Sequence, residues 1–256
     1  MMLKAPLLKK ALPILLLLAV AGLASADATN RVFLLRAQKN FDQARKNYLA
    51  DTNSTAAALA LARTGFDLTD FATNETQRAE IARDGIAASR RVIEREPKSA
   101  AGHYYLAMNL GELAQAEAPS LTAYRLVHEV EREFKTAAEL DVRFDHAGPA
   151  RCLGLLYRDA PGWPLSVGGK TKAHEWLQRA VTLAPDYPEN QLNFAEAHLK
   201  WRQREELDVV MKNLNAIWPA ARTNLAGEVW ERSWQDWDAR RAKLLTDYQK
   251  VYPLKP

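Results

Sequence analysis

The stretch AHEWLQRAVTLAP, residues 173–185, decides the fold of this chain. Small or apolar side chains recur in it at intervals of four, three and three residues, and a proline follows two residues later. Such intervals place side chains on one face of an α-helix, and a proline then ends the helix. The same spacing returns 34 residues later, at Leu207, Met211, Leu214, Ile217 and Pro219. The sequence therefore predicts helices that repeat with a 34-residue period.

The rest of the chain after residue 26 has the same helical spacing of apolar residues, and no convincing run alternates with period two. Two more helices of the first kind are marked by Gly85, Ser89, Val92 and Pro97, and by Val130, Phe134, Ala137 and Leu140. A second kind of helix carries Leu153-Gly154-x-x-Tyr157, with weaker versions at Leu106-Ala107 and Phe194-Ala195. We predict an all-α fold.

Two helix types that alternate with a period of about 34 residues resemble the tetratricopeptide repeat (TPR) family. The resemblance implies an all-α, tetratricopeptide-like superhelix of antiparallel helical hairpins. We expect one domain over residues 27–256, with an N-terminal capping helix in 27–54, divergent repeats in 55–219 and a long C-terminal capping helix in 220–256.

The spacing also predicts two long insertions within hairpins. Leu110 and Val130 lie 20 residues apart, and Tyr157 and Ala173 lie 16 apart, where the repeat pattern has about nine. The second insertion, around residues 159–170, is rich in glycine and proline. Long loops in compact repeats are uncommon and often functional.

The N-terminus has the features of a secretory signal peptide. Residues 1–10 carry three lysines and no acid, residues 11–23 are almost wholly apolar, and Ala24-Ser25-Ala26 offers a small-residue cleavage site. Without residues 1–26 the chain has 32 basic and 31 acidic side chains, a net charge of +1, so nothing points to nucleic acid. We predict an exported, periplasmic protein without a lipoprotein cysteine. Cleavage and retention as an anchor both stay open.

A more specific resemblance rests on scattered motifs in the second half of the chain. They are Ala160-Pro161-Gly162, Gly168-Gly169-Lys170, Lys172-Ala173, Ala180, Leu183, Pro185-Asp186-Tyr187 and Ala195-Glu196-Ala197. The pattern resembles the periplasmic TPR T-component that accompanies tripartite ATP-independent periplasmic (TRAP) transporters. The resemblance implies a partner that is a periplasmic substrate-binding protein, and a homo-oligomer that encloses a pore for a small hydrophobic ligand.

In such repeats one helix of each hairpin lines a concave face. Counting along these helices predicts an amphipathic groove in which two arginines pair an anion. Its predicted ligand- or partner-binding residues are Tyr104, Met108, Arg151, Leu155, Arg158, Leu192 and Glu196. Trp163, in the second insertion, is a further candidate: it either closes over a ligand or anchors the hairpin as a hydrophobic plug.

The remaining reactive residue types indicate no chemistry. The five histidines lie in different segments without metal-binding spacing, and the carboxylates Glu112, Glu117, Asp145 and Glu196 are scattered. Gly168-Gly169-Lys170 lacks the spacing of a nucleotide loop, and Cys152 stands in an apolar helix pattern. We predict no catalytic residue, metal or cofactor.

All seven tryptophans lie at or after Trp163. Trp230, Trp234 and Trp237 share one face of a helix predicted over residues 220–251. We expect this helix to bury the stripe and cap the array, and a subunit or partner interface is the alternative.

Together these features predict a non-enzymatic periplasmic binding or adaptor protein that assists TRAP-type transport. The alternative is a periplasmic TPR scaffold that binds peptide segments of envelope-assembly proteins.

Overall fold

The computed structural model describes residues 28–253, and the predicted signal peptide lies outside them. The helices are α1 Ala28–Ala50, α2 Thr55–Thr69, α3 Glu75–Arg95, α4 Ala100–Ala116, α5 Leu121–Asp141, α6 Phe144–Asp159, α7 Lys170–Leu183, α8 Pro188–Lys200, α9 Arg204–Asn224 and α10 Glu231–Val251. A 3₁₀ turn, Glu228–Trp230, precedes α10. The described residues contain no strand, so the all-α prediction is confirmed. None of these helices is apolar over a length sufficient to cross a bilayer.

Short polar side chains begin several helices. The side chains of Ser54, Asn74 and Ser99 accept hydrogen bonds from backbone N–H groups three residues later, in the first turns of α2, α3 and α4. These bonds satisfy donors that have no partner inside the helix. Helices α2, α3 and α4 therefore each begin with a capped first turn.

The chain divides into two compact units. In its described part, unit 1 contains residues 28–141 and Asp159–Gly169, and unit 2 contains Val142–Arg158 and residues 170–253. The prediction of one domain over residues 27–256 stays a prediction.

In unit 1 each helix packs on the next, from α1 to α5. Residues from α1, α2 and α3 form a common apolar core. Its buried members are Phe41, Ala44, Leu61, Ala62, Leu68, Ile81 and Ala88.

Two glycines and one asparagine form a close contact between helices in unit 1. The Cα atom of Gly85, in α3, lies 3.6 Å from the position that a Cβ atom would take at Gly65 in α2. The fully buried Asn109 of α4 donates from Nδ2 to the carbonyl oxygens of Ala62, at 2.9 Å, and Tyr105, at 2.8 Å. Its Oδ1 atom lies only 2.1 Å from the position that a Cβ atom would take at Gly85. A side chain at position 85 would therefore displace the amide.

We predict that Gly85→Ala lowers the free energy of unfolding by about 2 kcal/mol, because overpacking in a closed core forces side chains out of place. Gly65→Ala is the matched control, since its Cβ would meet only ordinary contacts of 3.6–3.7 Å and alanine favours a helix by roughly 1 kcal/mol. Urea unfolding of the two variants is the measurement. Equal stability of both would contradict the packing described here.

In unit 2, α8 contacts α7, α9 and α10. Ala147, Ala150 and Ala180 form a small buried cluster. Gly154, from the Leu-Gly motif, has no room for a side chain, because a Cβ atom there would lie 2.6 Å from Leu177 Cγ. The Leu-Gly motif thus marks a close contact between α6 and α7.

The first predicted insertion is helical rather than a loop. Only residues 117–120 separate α4 from α5. Ala123 and Val127 continue, at intervals of four and three, the buried stripe of Val130 and Phe134. The additional residues therefore lengthen the hairpin, and the expectation of a long loop here is wrong.

The long C-terminal helix predicted over residues 220–251 is also wrong in its bounds. Helix α9 continues through Pro219 to Asn224, and α10 begins only at Glu231. Proline removes one backbone donor, but Leu214, Trp218 and Ala221 keep one buried face along α9 on both sides of it. Gly227, at φ +96°, lies in the break between the helices, and this φ is one that glycine adopts without strain.

Candidate functional site

The four apolar residues predicted to line a groove are buried in the helix packing. Tyr104 and Met108 of unit 1 are 2 % and 4 % exposed, and Leu155 and Leu192 of unit 2 are 6 % and 0 % exposed. The ring of Tyr104 packs against Phe134 of α5, with centroids 5.8 Å apart. Their predicted position on an open concave face is therefore wrong, because neighbouring helices cover them.

Arg151 is a structural residue of unit 2. Its side chain is 5 % exposed, and Nη2 lies 2.9 Å from the Asp145 carboxylate. Nη1 donates to Asn190 Oδ1, at 3.2 Å, and to the backbone carbonyls of Asp145 and His146, each at 3.3 Å. These donors are already used within the unit, so the predicted role of Arg151 in pairing an external anion is wrong.

The carbonyls that Arg151 binds belong to a turn of unusual backbone. Asp145, His146 and Ala147 have φ values of 50°, 54° and 64°, which non-glycine residues adopt only at an energetic cost. The Asn190 side chain also donates to the His146 carbonyl, at 2.9 Å. The turn presents the His146 ring in parallel stacking on Tyr187, with centroids 4.3 Å apart.

We predict that Arg151→Ala lowers the free energy of unfolding by about 3 kcal/mol, because it removes the Arg151 donor from the buried Asn190 amide oxygen, the Asp145 carbonyl and the Asp145 carboxylate. Arg204→Ala is the control, since the Arg204 side chain is 55 % exposed. Thermal and urea unfolding compare the two variants. An Arg151→Ala protein as stable as the control would return this arginine to the list of candidate binding residues.

Glu196 and Arg158 belong to a second charged cluster in unit 2. Glu196 accepts from Arg240 of α10 at 2.9 and 3.0 Å, and its Oε2 atom lies 3.9 Å from Arg158 Nη1. Arg240 also donates to Asn193 Oδ1 and to Asp236. Burial disfavours the charged form of Arg240, but Glu196, Glu189 and Asp236 outweigh it and raise its pKa. The carboxylate predicted to meet a ligand thus holds α10 on α8.

The tryptophan stripe of α10 lies mainly inside unit 2. Trp234 and Trp237 are 6 % and 1 % exposed, which confirms their predicted burial. Trp237 packs edge-on against Tyr187, with centroids 5.4 Å apart. Trp234 packs on Trp218 and donates to the Leu225 carbonyl at 2.6 Å. These contacts attach α10 to α8 and α9.

Trp163 differs from every other candidate, because its side chain is 90 % exposed. The interpretation as a hydrophobic plug is therefore wrong. Leu165, a residue that the sequence analysis did not single out, is 59 % exposed on the same loop. Its signal in the sequence is its place two residues from a tryptophan in a segment rich in turn residues.

The loop that carries Trp163 is held by its own backbone. Gly168 N–H donates to the Pro161 carbonyl at 2.8 Å, and the N–H groups of Leu165 and Ser166 reach the Gly162 carbonyl at 3.1 and 3.3 Å. A side chain at Gly168 would overlap the backbone of Ala160 and Pro161. Ser166 and Val167 are buried. The two exposed apolar side chains thus stand on a base that is buried and held by backbone hydrogen bonds.

The other reactive residues form no such constellation. Among residues 28–253, no group of three His, Cys, Asp or Glu side chains is placed to hold a metal ion. His198, packed against Phe194, has its pKa lowered by burial. Cys152 is buried in unit 2.

Glu112 is an ionisable group buried between helices of unit 1. It is 1 % exposed, and its Oε2 atom lies 2.6 Å from Arg78 Nη1. Burial raises the pKa of Glu112 to about 7; Asp70 adds to the rise, while Arg78 opposes it. Between about pH 4.5 and about pH 7, Glu112 is therefore protonated in the folded protein, whereas a glutamate in the unfolded chain is ionised.

We predict that the free energy of unfolding falls as the pH rises from about 4.5 to about 7, because the folded state binds the Glu112 proton more tightly. The loss attributable to Glu112 is on the order of 3 kcal/mol. Urea unfolding at a series of pH values, compared between the wild type and Glu112→Gln, isolates this contribution.

Glu117→Gln is the control for this experiment, because Glu117 pairs with Arg83 at a more exposed position. It should keep the wild-type pH dependence, whereas Glu112→Gln should flatten it. Identical pH profiles for wild type and Glu112→Gln would show that Glu112 is ionised in the fold throughout this range.

Among solved structures, the chain is similar to a thermophilic TPR protein from Thermus thermophilus. The TM-score is 0.59 and the sequence identity 17 %, over 85 % of this chain and 95 % of that one. No family model and no curated protein matches the chain.

This likeness, together with the adjacent packing of the helices, shows a tetratricopeptide-like fold. The structural likeness at 17 % identity concerns the fold alone.

Proposed function

We propose that this protein is an exported, non-enzymatic adaptor that binds a folded protein partner through the loop of residues 160–169. The resemblance of its motifs to the TRAP-associated T-component names that partner as a periplasmic substrate-binding protein. The observation that carries the proposal is the 90 % exposed Trp163 on a loop fixed by internal hydrogen bonds.

A rigid, exposed tryptophan is suited to a protein interface. Tryptophan is enriched among the residues that dominate binding energy, and a loop ordered before binding loses little conformational entropy on association. Leu165 enlarges the apolar contact. Residues 160–169 contain no charged side chain, so the loop fits an apolar pocket on a partner better than a charged surface.

The loop also connects the sequence resemblance with a three-dimensional feature. Two of the motifs that carry the resemblance, Pro161-Gly162 and Gly168-Gly169, close the loop at its base. There the Gly168 N–H donates to the Pro161 carbonyl, and the backbone of Gly162 pairs with that of Gly168. The motif residues thus hold the segment that presents Trp163. This supports a partner-binding role for the part of the chain on which the TRAP resemblance rests.

The peptide scaffold and the small hydrophobic ligand have weaker support. Both predictions depended on an open groove lined by Tyr104, Met108, Leu155 and Leu192, which are all buried. The proposed adaptor needs none of these four side chains.

The test measures binding of the purified protein to the purified substrate-binding proteins of its host's TRAP transporters by isothermal titration calorimetry. We predict that at least one of them binds, and that Trp163→Ala with Leu165→Ala weakens this binding at least about tenfold, the effect of losing a tryptophan hot spot.

Val229→Ala with Val209→Ala is the matched control, because both valines are exposed on helical elements elsewhere, at 82 % and 61 %. It should bind like the wild type. If no such substrate-binding protein binds, the proposed partner is wrong. If one binds equally well to the Trp163 variant, the loop is not the interface.

A further inference from the structure

Helix α1 has a large excess of basic over acidic side chains. Its 23 residues include five Lys and Arg but a single acidic residue, Asp42, for a net charge of +4. Residues 51–256 contain 27 Lys and Arg and 29 Asp and Glu, a net charge of −2. The basic character of the chain after its N-terminal apolar segment is thus concentrated in one helix.

The outer face of α1 combines this charge with exposed aliphatic side chains. The inner face buries Phe33, Phe41 and Ala44 in unit 1. On the opposite face lie three aliphatic residues, three basic residues and Asp42, all exposed: Arg31, Val32, Leu35, Lys39, Asp42, Lys46 and Leu49. Val32, Leu35 and Leu49 are 51 %, 60 % and 65 % exposed.

The spacing of these residues makes a straight, continuous stripe. Steps of three, four, three, four and three residues join Val32, Leu35, Lys39, Asp42, Lys46 and Leu49, so they stay on one side of the helix. At 1.5 Å per residue the stripe is roughly 25 Å long. A stripe of this length, with aliphatic groups at both ends and Lys39, Asp42 and Lys46 between them, fits a flat surface better than a pocket.

The position of α1 in the chain indicates which flat surface it meets. The apolar run of residues 11–23 ends five residues before α1 begins at Ala28. A segment of that character inserts into a membrane during export, whether or not it is removed afterwards. Helix α1 is therefore the part of the protein that follows the membrane-inserting segment directly.

We propose that α1 lies flat on an anionic lipid surface, with its outer stripe against the headgroups. Basic side chains near such a surface are attracted to acidic lipids, and the aliphatic side chains enter the headgroup boundary. The face of α1 that packs on α2 is not involved, so unit 1 keeps its fold on the membrane. The site is independent of the loop that carries Trp163.

Lipid fits the stripe better than an acidic protein does. Lys39 and Lys46 lie between Leu35 and Leu49 on the stripe, and helices that combine basic and apolar side chains bind the membrane interface. A partner that offered carboxylates alone would leave Val32, Leu35 and Leu49 in contact with water or polar groups. A bilayer surface binds the basic side chains at its headgroups and the aliphatic side chains at the headgroup boundary.

The test is co-sedimentation with vesicles, using the chain that begins at Asp27 so that the apolar segment cannot insert. This chain contains every described helix. We expect it to sediment with phosphatidylcholine vesicles that contain about 30 % phosphatidylglycerol and not with pure phosphatidylcholine. Binding should fall steeply when salt rises from about 50 to about 300 mM.

Two pairs of variants assign the binding to α1. The double variant Lys39→Glu with Lys46→Glu should lower the partition coefficient at least about tenfold. Its control, Lys98→Glu with Lys212→Glu, makes the same charge change at exposed sites elsewhere and should lower the coefficient less than about twofold. Val32→Ser with Leu35→Ser should lower it about threefold, and Val209→Ser with Val229→Ser should leave it unchanged. All eight positions are exposed, so the fold is preserved in each variant.

Three results would overturn the proposal. One is equal binding to anionic and neutral vesicles, and another is an equal loss in the two lysine pairs. The third is binding to soluble polyglutamate that is as strong as binding to vesicles and is unchanged in the variant Val32→Ser with Leu35→Ser. That result would show that the stripe binds an acidic polypeptide.

Discussion

Close approach of neighbouring helices is the constraint on which both units depend. In unit 1 the missing side chain of Gly85 lets the Asn109 amide enter between α2, α3 and α4. In unit 2 the missing side chain of Gly154 lets Leu177 pack directly on α6. Helices this close cover the side chains between them, and as a result the apolar residues expected on an open groove became core.

The close packing of the helices also determines which charged residues are buried and paired inside the fold. A buried guanidinium is tolerated only when nearly all its donors are used, and both Arg151 and Arg240 meet this condition with partners inside unit 2. Glu112 has one arginine partner, and its raised pKa shows that burial outweighs that partner. Charges that looked available for recognition are therefore part of the packing.

The two surfaces proposed for interaction lie outside the contacts between helices. The loop of residues 160–169 is stabilised by its own backbone bonds and leaves Trp163 in solvent. The outer face of α1 leaves Val32, Leu35 and Leu49 uncovered because its inner face already supplies the core. One surface is uncharged and suited to a pocket, while the other is basic and suited to a flat anionic surface.

The sequence by itself determined the helical class, the repeat pattern and the burial of Trp234 and Trp237, because a period of 3.6 residues and a 34-residue repeat depend only on local spacing. It also identified the loop around Trp163 as unusual. The exposure of Trp163, the pairing of Arg151 and Glu196, and the continuation of α9 through Pro219 were decided by tertiary structure. Each depends on which groups from distant parts of the chain meet: Asn190 lies 39 residues from Arg151 and Arg240 lies 44 from Glu196. A one-residue change of register turns a helical side chain by about 100°, so spacing alone cannot separate a groove from a core.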